Sequence, residues 1–128
     1  MSSNADLISS AYDAFARGDI EPVLAVLDPK VEWTEAAGFP TAGTYTGPEA
    51  VAGVFVRLGT EWENFEAVPD RIAADGGTVV ATGTYSGTFK ETGRSFTARF
   101  AHVWELRDGM VVRFEQVADT AKVREAVA

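Results

Sequence analysis

The chain predicts an α+β fold in which N-terminal helices pack on one face of a strongly curved mixed β-sheet and enclose an apolar pocket. Three observations carry this expectation. Apolar residues recur at helical spacing before Pro29 and again after Pro48. From residue 62 onward the pattern changes to long runs rich in Val, Phe, Trp, Tyr and Thr, separated by the turn signals "ADGGT", "KETGR" and "RDGM". No linker, internal repeat or low-complexity tract divides the chain, and its 128 residues suit one domain spanning 1–128.

Taken in order, Ser3 or Asn4 caps a first helix whose apolar stripe is Leu7, Ile8, Ala11, Tyr12 and Phe15, and Gly18 ends it. Asp19 is expected to cap a second helix with Ile20, Val23, Leu24 and Leu27 inward, stopped by Pro29. "VEWTE" then alternates, so Val31, Trp33 and Glu35 share one face of a strand. The stretch 36–48, "AAGFPTAGTYTGP", has no period and reads as a long loop of the kind that often serves function. Pro48 at a first helical position opens a third helix with Val51, Val54, Phe55 and Leu58 buried. Four antiparallel strands follow near 62–74, 78–89, 95–107 and 110–118, and Asp119 caps a short terminal helix.

The last hairpin sets which side chains face inward. A three-residue turn with Gly109 in the left-handed region pairs Leu106 with Met110, Trp104 with Val112, His102 with Phe114 and Phe100 with Gln116, all on one face. The opposite face then carries Arg99, Glu105, Arg107, Val111, Arg113 and Glu115, with Ala101 and Val103 as a small apolar strip suited to a dimer contact. A two-residue turn would reverse the facing, burying Glu105 and exposing Trp104, so the three-residue turn is the expected one.

Composition narrows the function classes. A net charge of −8 with no Lys/Arg cluster argues against nucleic acid or an anionic membrane as partner and leaves a small neutral or cationic ligand. No apolar run nears the roughly 20 residues that span a bilayer, and "MSSNADLISS" lacks the pattern of a secretion signal, so the expected location is cytoplasmic. The absence of cysteine removes thiolate chemistry and Cys-ligated metals, and no HExxH or EF-hand spacing is present; no metal or other cofactor is expected. Ser86 in "TYSGT" fails the GxSxG pattern, and "GTFKETGRS" reads as a hairpin rather than a phosphate loop.

What remains is carboxylate, imidazole, phenol and amide chemistry. The single histidine, His102, lies on the inward face beside Trp104, Phe100, Phe114 and Gln116. It reads either as a general acid/base or as a core histidine kept neutral by burial. Glu35, in phase with Trp33, reads either as its proton-sharing partner or as a solvent carboxylate if the strand ends at Thr34. Tyr12 is placed to donate a phenolic hydrogen bond into the cavity or to sit in the core with its hydroxyl at the rim. Gln116 can orient a ligand carbonyl. Trp33, Phe39, Tyr45, Leu58, Trp62, Phe100, Trp104 and Phe114 are the expected apolar lining.

The blocks "VEWTEAAGFPTAGTYTGPEAV" and "FAHVWELRDGMVVRFEQVADT" resemble the SnoaL-like branch of the NTF2-like superfamily, which shares its cone with ketosteroid isomerases, polyketide cyclases, limonene epoxide hydrolases and scytalone dehydratases. The resemblance implies a homodimer with a deep apolar pocket per subunit and acid–base chemistry without metal or redox cofactor. By that likeness His102 matches an inward strand histidine, Glu35 the polar residue ending the "WTE" strand, and Tyr12 a helix-borne phenolic donor. Phe100, His102 and Gln116 stand where the epoxide hydrolases carry an Arg–Asp pair and a further Asp, and Gln116 stands where cyclases carry an acidic base, so no one named activity transfers. Two functions follow as expectations: an isomerase, cyclase or dehydratase acting on a small hydrophobic carbonyl compound, or a non-catalytic binder of a hydrophobic small molecule.

Overall fold

The computed structural model describes residues 3–128. Helix α1 (Asn4–Ala16) opens with a capping box: the Ser3 hydroxyl accepts from the Asp6 N–H at 3.1 Å, and the Asp6 carboxylate accepts from the Ser3 N–H. Helix α2 (Glu21–Ala25) is shorter than the sequence predicts. Ile20, not Asp19, holds its N-cap position without a side-chain bond, and the chain is already extended at Leu27. Pro29 therefore lies inside strand β1 (Leu27–Glu35) rather than stopping a helix.

Part of the expected loop is also a strand. β2 (Gly43–Thr46) pairs antiparallel with β1, Trp33 opposite Tyr45 and Thr34 opposite Thr44, and forms the edge of the sheet. Four residues with glycine at one end carry little periodic signal, which is why the sequence hides it. Helix α3 (Pro48–Glu61) follows with Val51, Val54 and Leu58 buried. The strands β3 (Trp62–Asp75), β4 (Thr78–Phe89), β5 (Ser95–Arg107) and β6 (Met110–Ala118) then run antiparallel in sequence, and α4 (Thr120–Val127) begins at Asp119, whose carboxylate accepts from the Lys122 N–H.

The sheet order is β2-β1-β6-β5-β4-β3, with β1 and β6 parallel and every other pair antiparallel. The sheet is mixed and open, and α1 and α3 lie across its concave face against β1, β3 and β4. This is the α+β cone the sequence predicts.

The β5–β6 hairpin corrects the expected register. Arg107 pairs with Met110 across a two-residue turn, Asp108 and Gly109, both at positive φ (53° and 76°) as this turn requires. His102 consequently faces Gln116 rather than Phe114, Trp104 faces Phe114 rather than Val112, and Phe100 faces Ala118 rather than Gln116. The facing nevertheless holds from Phe114 onward. A β-bulge between the Glu105–Arg113 and Leu106–Val111 pairs gives β6 one extra residue, Val112, which reverses the phase a second time. Before the bulge the sides change: Val111, expected outward, pairs with Leu106 and is fully buried, and Met110, expected inward, pairs with the exposed Arg107.

Candidate active site

The concave face encloses one narrow cavity of about 50 Å3, roughly the space of a few waters, lined by rings and a small set of polar groups. α1 contributes Ala11, Tyr12 and Phe15; α3 contributes Phe55 and Leu58; β1 contributes Trp33 and Glu35; the inner strands contribute Tyr85, His102, Trp104, Phe114 and Gln116. Phe39 from the 36–42 segment packs edge-on to Phe65 and tilted to Tyr85 at one end.

Strand alternation puts Glu35 inward. The strand continues past Thr34, and the side chain is only 5% exposed. Its Oε2 accepts from the Trp33 indole N–H at 3.0 Å and its Oε1 from the Thr41 hydroxyl at 2.8 Å. Tyr45 in turn donates to the Thr41 carbonyl, tying β2 to this corner. Burial raises the Glu35 pKa from 4.5 to about 6, and the Thr41 and Trp33 donors hold it from rising further.

His102 occupies a separate polar cluster. Its Nδ1 meets the Tyr12 hydroxyl at 2.6 Å, and its Nε2 meets the Tyr85 hydroxyl. The Trp104 indole N–H donates to the Tyr12 oxygen at 3.1 Å, and the Gln116 amide donates to the Tyr85 oxygen at 3.0 Å. The Gln116 carbonyl oxygen accepts from the Ala36 N–H. Phe100 stacks on the imidazole at a centroid distance of 4.1 Å. That ring has room because Gly83 lies opposite it: a Cβ there would meet Phe100 Cζ at 2.5 Å.

Burial drives the His102 pKa down to about 3, so the imidazole is neutral at physiological pH. Burial likewise pushes the Tyr12 phenol up, opposed by the Trp104 donor. Tyr85 is pushed well up by burial first and by the Glu35 charge second.

The residues singled out from sequence divide in three. Tyr12, Glu35, His102, Gln116, Trp33, Phe39, Leu58, Trp104 and Phe114 line the one cavity. Phe100 stands behind His102, and Tyr45 stands behind Thr41. Trp62 is buried away from the cavity against Phe89 and Phe96, its indole N–H without a partner among the described residues. Glu35 and His102 do not touch; each has its own partners.

Two polar residues of the site escape the sequence reading. Tyr85 was signalled, since it keeps the phase of Val79 and Ala81 on β4. Thr41, 1% exposed, carried no signal, because it sits in an aperiodic segment. Among the described residues no group of three or more His, Asp or Glu is gathered as for a metal ion, and no helix is long and apolar enough to cross a membrane.

A SnoaL-like domain model matches residues 8–114. An NTF2-like protein from Burkholderia thailandensis superposes with a TM-score of 0.97 at 41% identity, covering 100% of this chain and 99% of that one. TerC, co-crystallised with polyporic acid, superposes with a TM-score of 0.88 at 29% identity over 98% of each chain. Patulin synthesis protein F of Aspergillus clavatus is 32% identical over 84 residues, 63% of this chain; the chain spans 42% of the length of that curated relative. The chain belongs to the SnoaL-like family, on the NTF2-like fold.

Proposed function

We propose that the cavity carries out acid–base catalysis, without a cofactor, on a small, neutral, largely apolar carbonyl compound, in an isomerase-, cyclase- or dehydratase-type reaction. One observation carries this reading: a buried carboxylate with a pKa near 6 and a phenol–imidazole–phenol chain face the same ring-lined space. Glu35 is the base. At neutral pH it is mostly ionised yet close enough to its pKa to return the proton, which suits removal of a hydrogen beside a carbonyl. The tyrosine–histidine chain is the acidic partner, supplying a hydrogen-bond donor to the oxygen on which charge develops. His102, neutral and held at both ring nitrogens, acts through the tyrosines as a positioning residue.

The ring lining fixes the ligand's character. None of the described residues lining the cavity is Lys or Arg, so a carboxylate or phosphate would meet Glu35 with nothing to balance it. The narrow space favours a flat, slender molecule. Incubation of the protein with small ketones and enones in D2O, read by NMR, tests the reading: hydrogen next to the carbonyl exchanges, with a rate that rises through an apparent pKa of about 6. Glu35→Gln lowers that rate by about a thousandfold.

A second reading has its own support. Glu35, His102 and Gln116 already have partners within the chain, which suits a pre-formed pocket that only binds. Saturable binding of an apolar ketone with no exchange in any member of the panel favours this binder.

We propose further that two copies pair through the outward sheet face. Val80 and Val103 pair there, as do Ala101 and Val117, and Val68 and Val117 are more than half exposed. Sedimentation equilibrium of wild type and Val117→Glu tests this: a dimer that the variant converts to monomer is expected.

A further inference from the structure

The polar chain across the cavity can be counted hydrogen by hydrogen. Both ends are directed. The Trp104 indole nitrogen can only donate, and it donates to the Tyr12 oxygen. At the other end the Ala36 N–H donates to Gln116 Oε1, which turns the amide NH2 toward Tyr85, and Gln116 donates to the Tyr85 oxygen. Between the two phenol oxygens lie two contacts, Tyr12 to Nδ1 and Tyr85 to Nε2.

Three hydrogens compete for those two contacts: one on each phenol and one on the neutral imidazole. The bare ring nitrogen takes a hydrogen from one tyrosine. The ring N–H gives its hydrogen to the other tyrosine, whose own O–H is then left over. Among the described residues neither hydroxyl has a further partner, so the spare hydrogen is available to the cavity.

The position of Glu35 decides which tyrosine holds it. Tyr85 lies toward the Glu35 end: it packs against Phe39, its oxygen is bonded to Gln116, and Gln116 is bonded to the residue that follows Glu35. A negative carboxylate favours the spare hydrogen on the nearer phenol.

We propose that His102 is the Nε2–H tautomer and that Tyr85 O–H is the cavity's free donor, which binds the carbonyl oxygen of a neutral ketone- or quinone-type ligand. Tyr12 donates to Nδ1, and Nε2–H donates to Tyr85. The ligand half rests on the acid–base reading above; the tautomer half does not. In the step, the electron pair of the C–H bond taken by Glu35 becomes the enolate C=C. The carbonyl π pair moves onto oxygen, where Tyr85 O–H meets it. The protonated Glu35 then returns its hydrogen to carbon, so protons and charge balance without another reactant.

Because His102 is the only histidine, long-range 1H–15N correlation of uniformly labelled protein reads its tautomer without ambiguity. Nε2 protonated and Nδ1 bare is expected in the wild type; Nδ1 protonated overturns the proposal. Tyr85→Phe removes the acceptor of Nε2–H, and the ring is expected to switch to Nδ1–H, which still finds the Tyr12 oxygen. The donor is read separately from the infrared stretch of carbonyl-13C cyclohex-2-enone. Bound to wild type it shifts to lower frequency, and Tyr12→Phe, which leaves the Tyr85 O–H free, keeps the shift; in Tyr85→Phe the ring switch frees the Tyr12 O–H instead, so the shift changes in size. A shift lost in Tyr12→Phe, one unchanged in Tyr85→Phe, or no binding to wild type at millimolar ligand, overturns the donor assignment. If instead the tautomer and the shift are as stated but Glu35→Gln leaves hydrogen exchange unchanged, the acid–base reading fails and the tautomer stands.

Discussion

Glu35 and His102 are buried to the same degree, each 5% exposed, in the same cavity, yet one carries its charge at neutral pH and the other does not. Burial opposes the charged form of both and is the largest influence on each; the partners set how far each shift goes. Glu35 receives two hydrogens, from Thr41 and Trp33, and each stabilises the ionised form against the cost of burial. His102 meets two phenols, and nothing facing its ring is an anion or an obligatory acceptor that would reward a second ring proton. Burial thus keeps the imidazole neutral, while the two donors beside Glu35 limit the rise of its pKa to about 6, so that it is still ionised at neutral pH.

The most direct way to break this contrast is Glu35→Gln. Its amide keeps the shape, accepts from Trp33 and donates to Thr41, while the base is gone. Exchange activity is expected to fall by about a thousandfold, the usual scale for a general base. Stability at pH 7 is expected to rise by up to about 2 kcal/mol in urea unfolding, because a carboxyl whose pKa is raised by burial disfavours folding once ionised.

The pH dependence of stability sharpens the same contrast. The His102 pKa is lowered on folding, so between 6.5 and about 3 the unfolded chain binds the extra proton and stability falls as pH falls, by about 1.4 kcal/mol per unit. The Glu35 pKa is raised, so between 4.5 and about 6 the folded chain holds the extra proton and stability rises as pH falls. The two slopes oppose each other in that window. Wild type should be nearly flat there with respect to these two groups, whereas Glu35→Gln should lose stability steadily from pH 6.5 downward; urea titrations of both at half-unit steps read the difference directly.

Thr41→Val has the smallest expected effect. It removes one of the two donors to Glu35 and should move the acidic limb of the exchange profile up by about one pH unit, with only a small change in its plateau. A limb that stays in place would mean that the Thr41 hydroxyl contributes nothing to holding the carboxylate charged.

Much of this arrangement is legible in the chain itself. The helix starts at Ser3, Pro48 and Asp119, the inward phase of Trp33 and Glu35, and the shared face of Phe100, His102 and Trp104 all follow from periods and caps that are local. The family blocks extend this to the cone. Less legible were the start of β1 at Leu27, where strand pairing with β6 overrides an apolar spacing that suits a helix, and β2, which is held by β1 rather than by its own four residues. The β5–β6 turn shows the limit most clearly: two departures, a shorter turn and a bulge at Val112, cancel to leave the facing of the site residues unchanged.

The sequence by itself determined which chemistry was on offer: one imidazole, inward carboxylate and phenol groups, no thiol, and an apolar sheet face to bury them, because composition and strand phase are properties of the chain. Tertiary structure alone decided the partnerships. Tyr12 and Tyr85 reach His102 across 90 and 17 residues, and Gln116 reaches Ala36 across 80. No local period encodes such distances. They exist only once α1 is laid across the sheet and β6 is set beside β1, and the same packing buries both groups, which keeps the imidazole neutral and raises the carboxyl pKa to about 6.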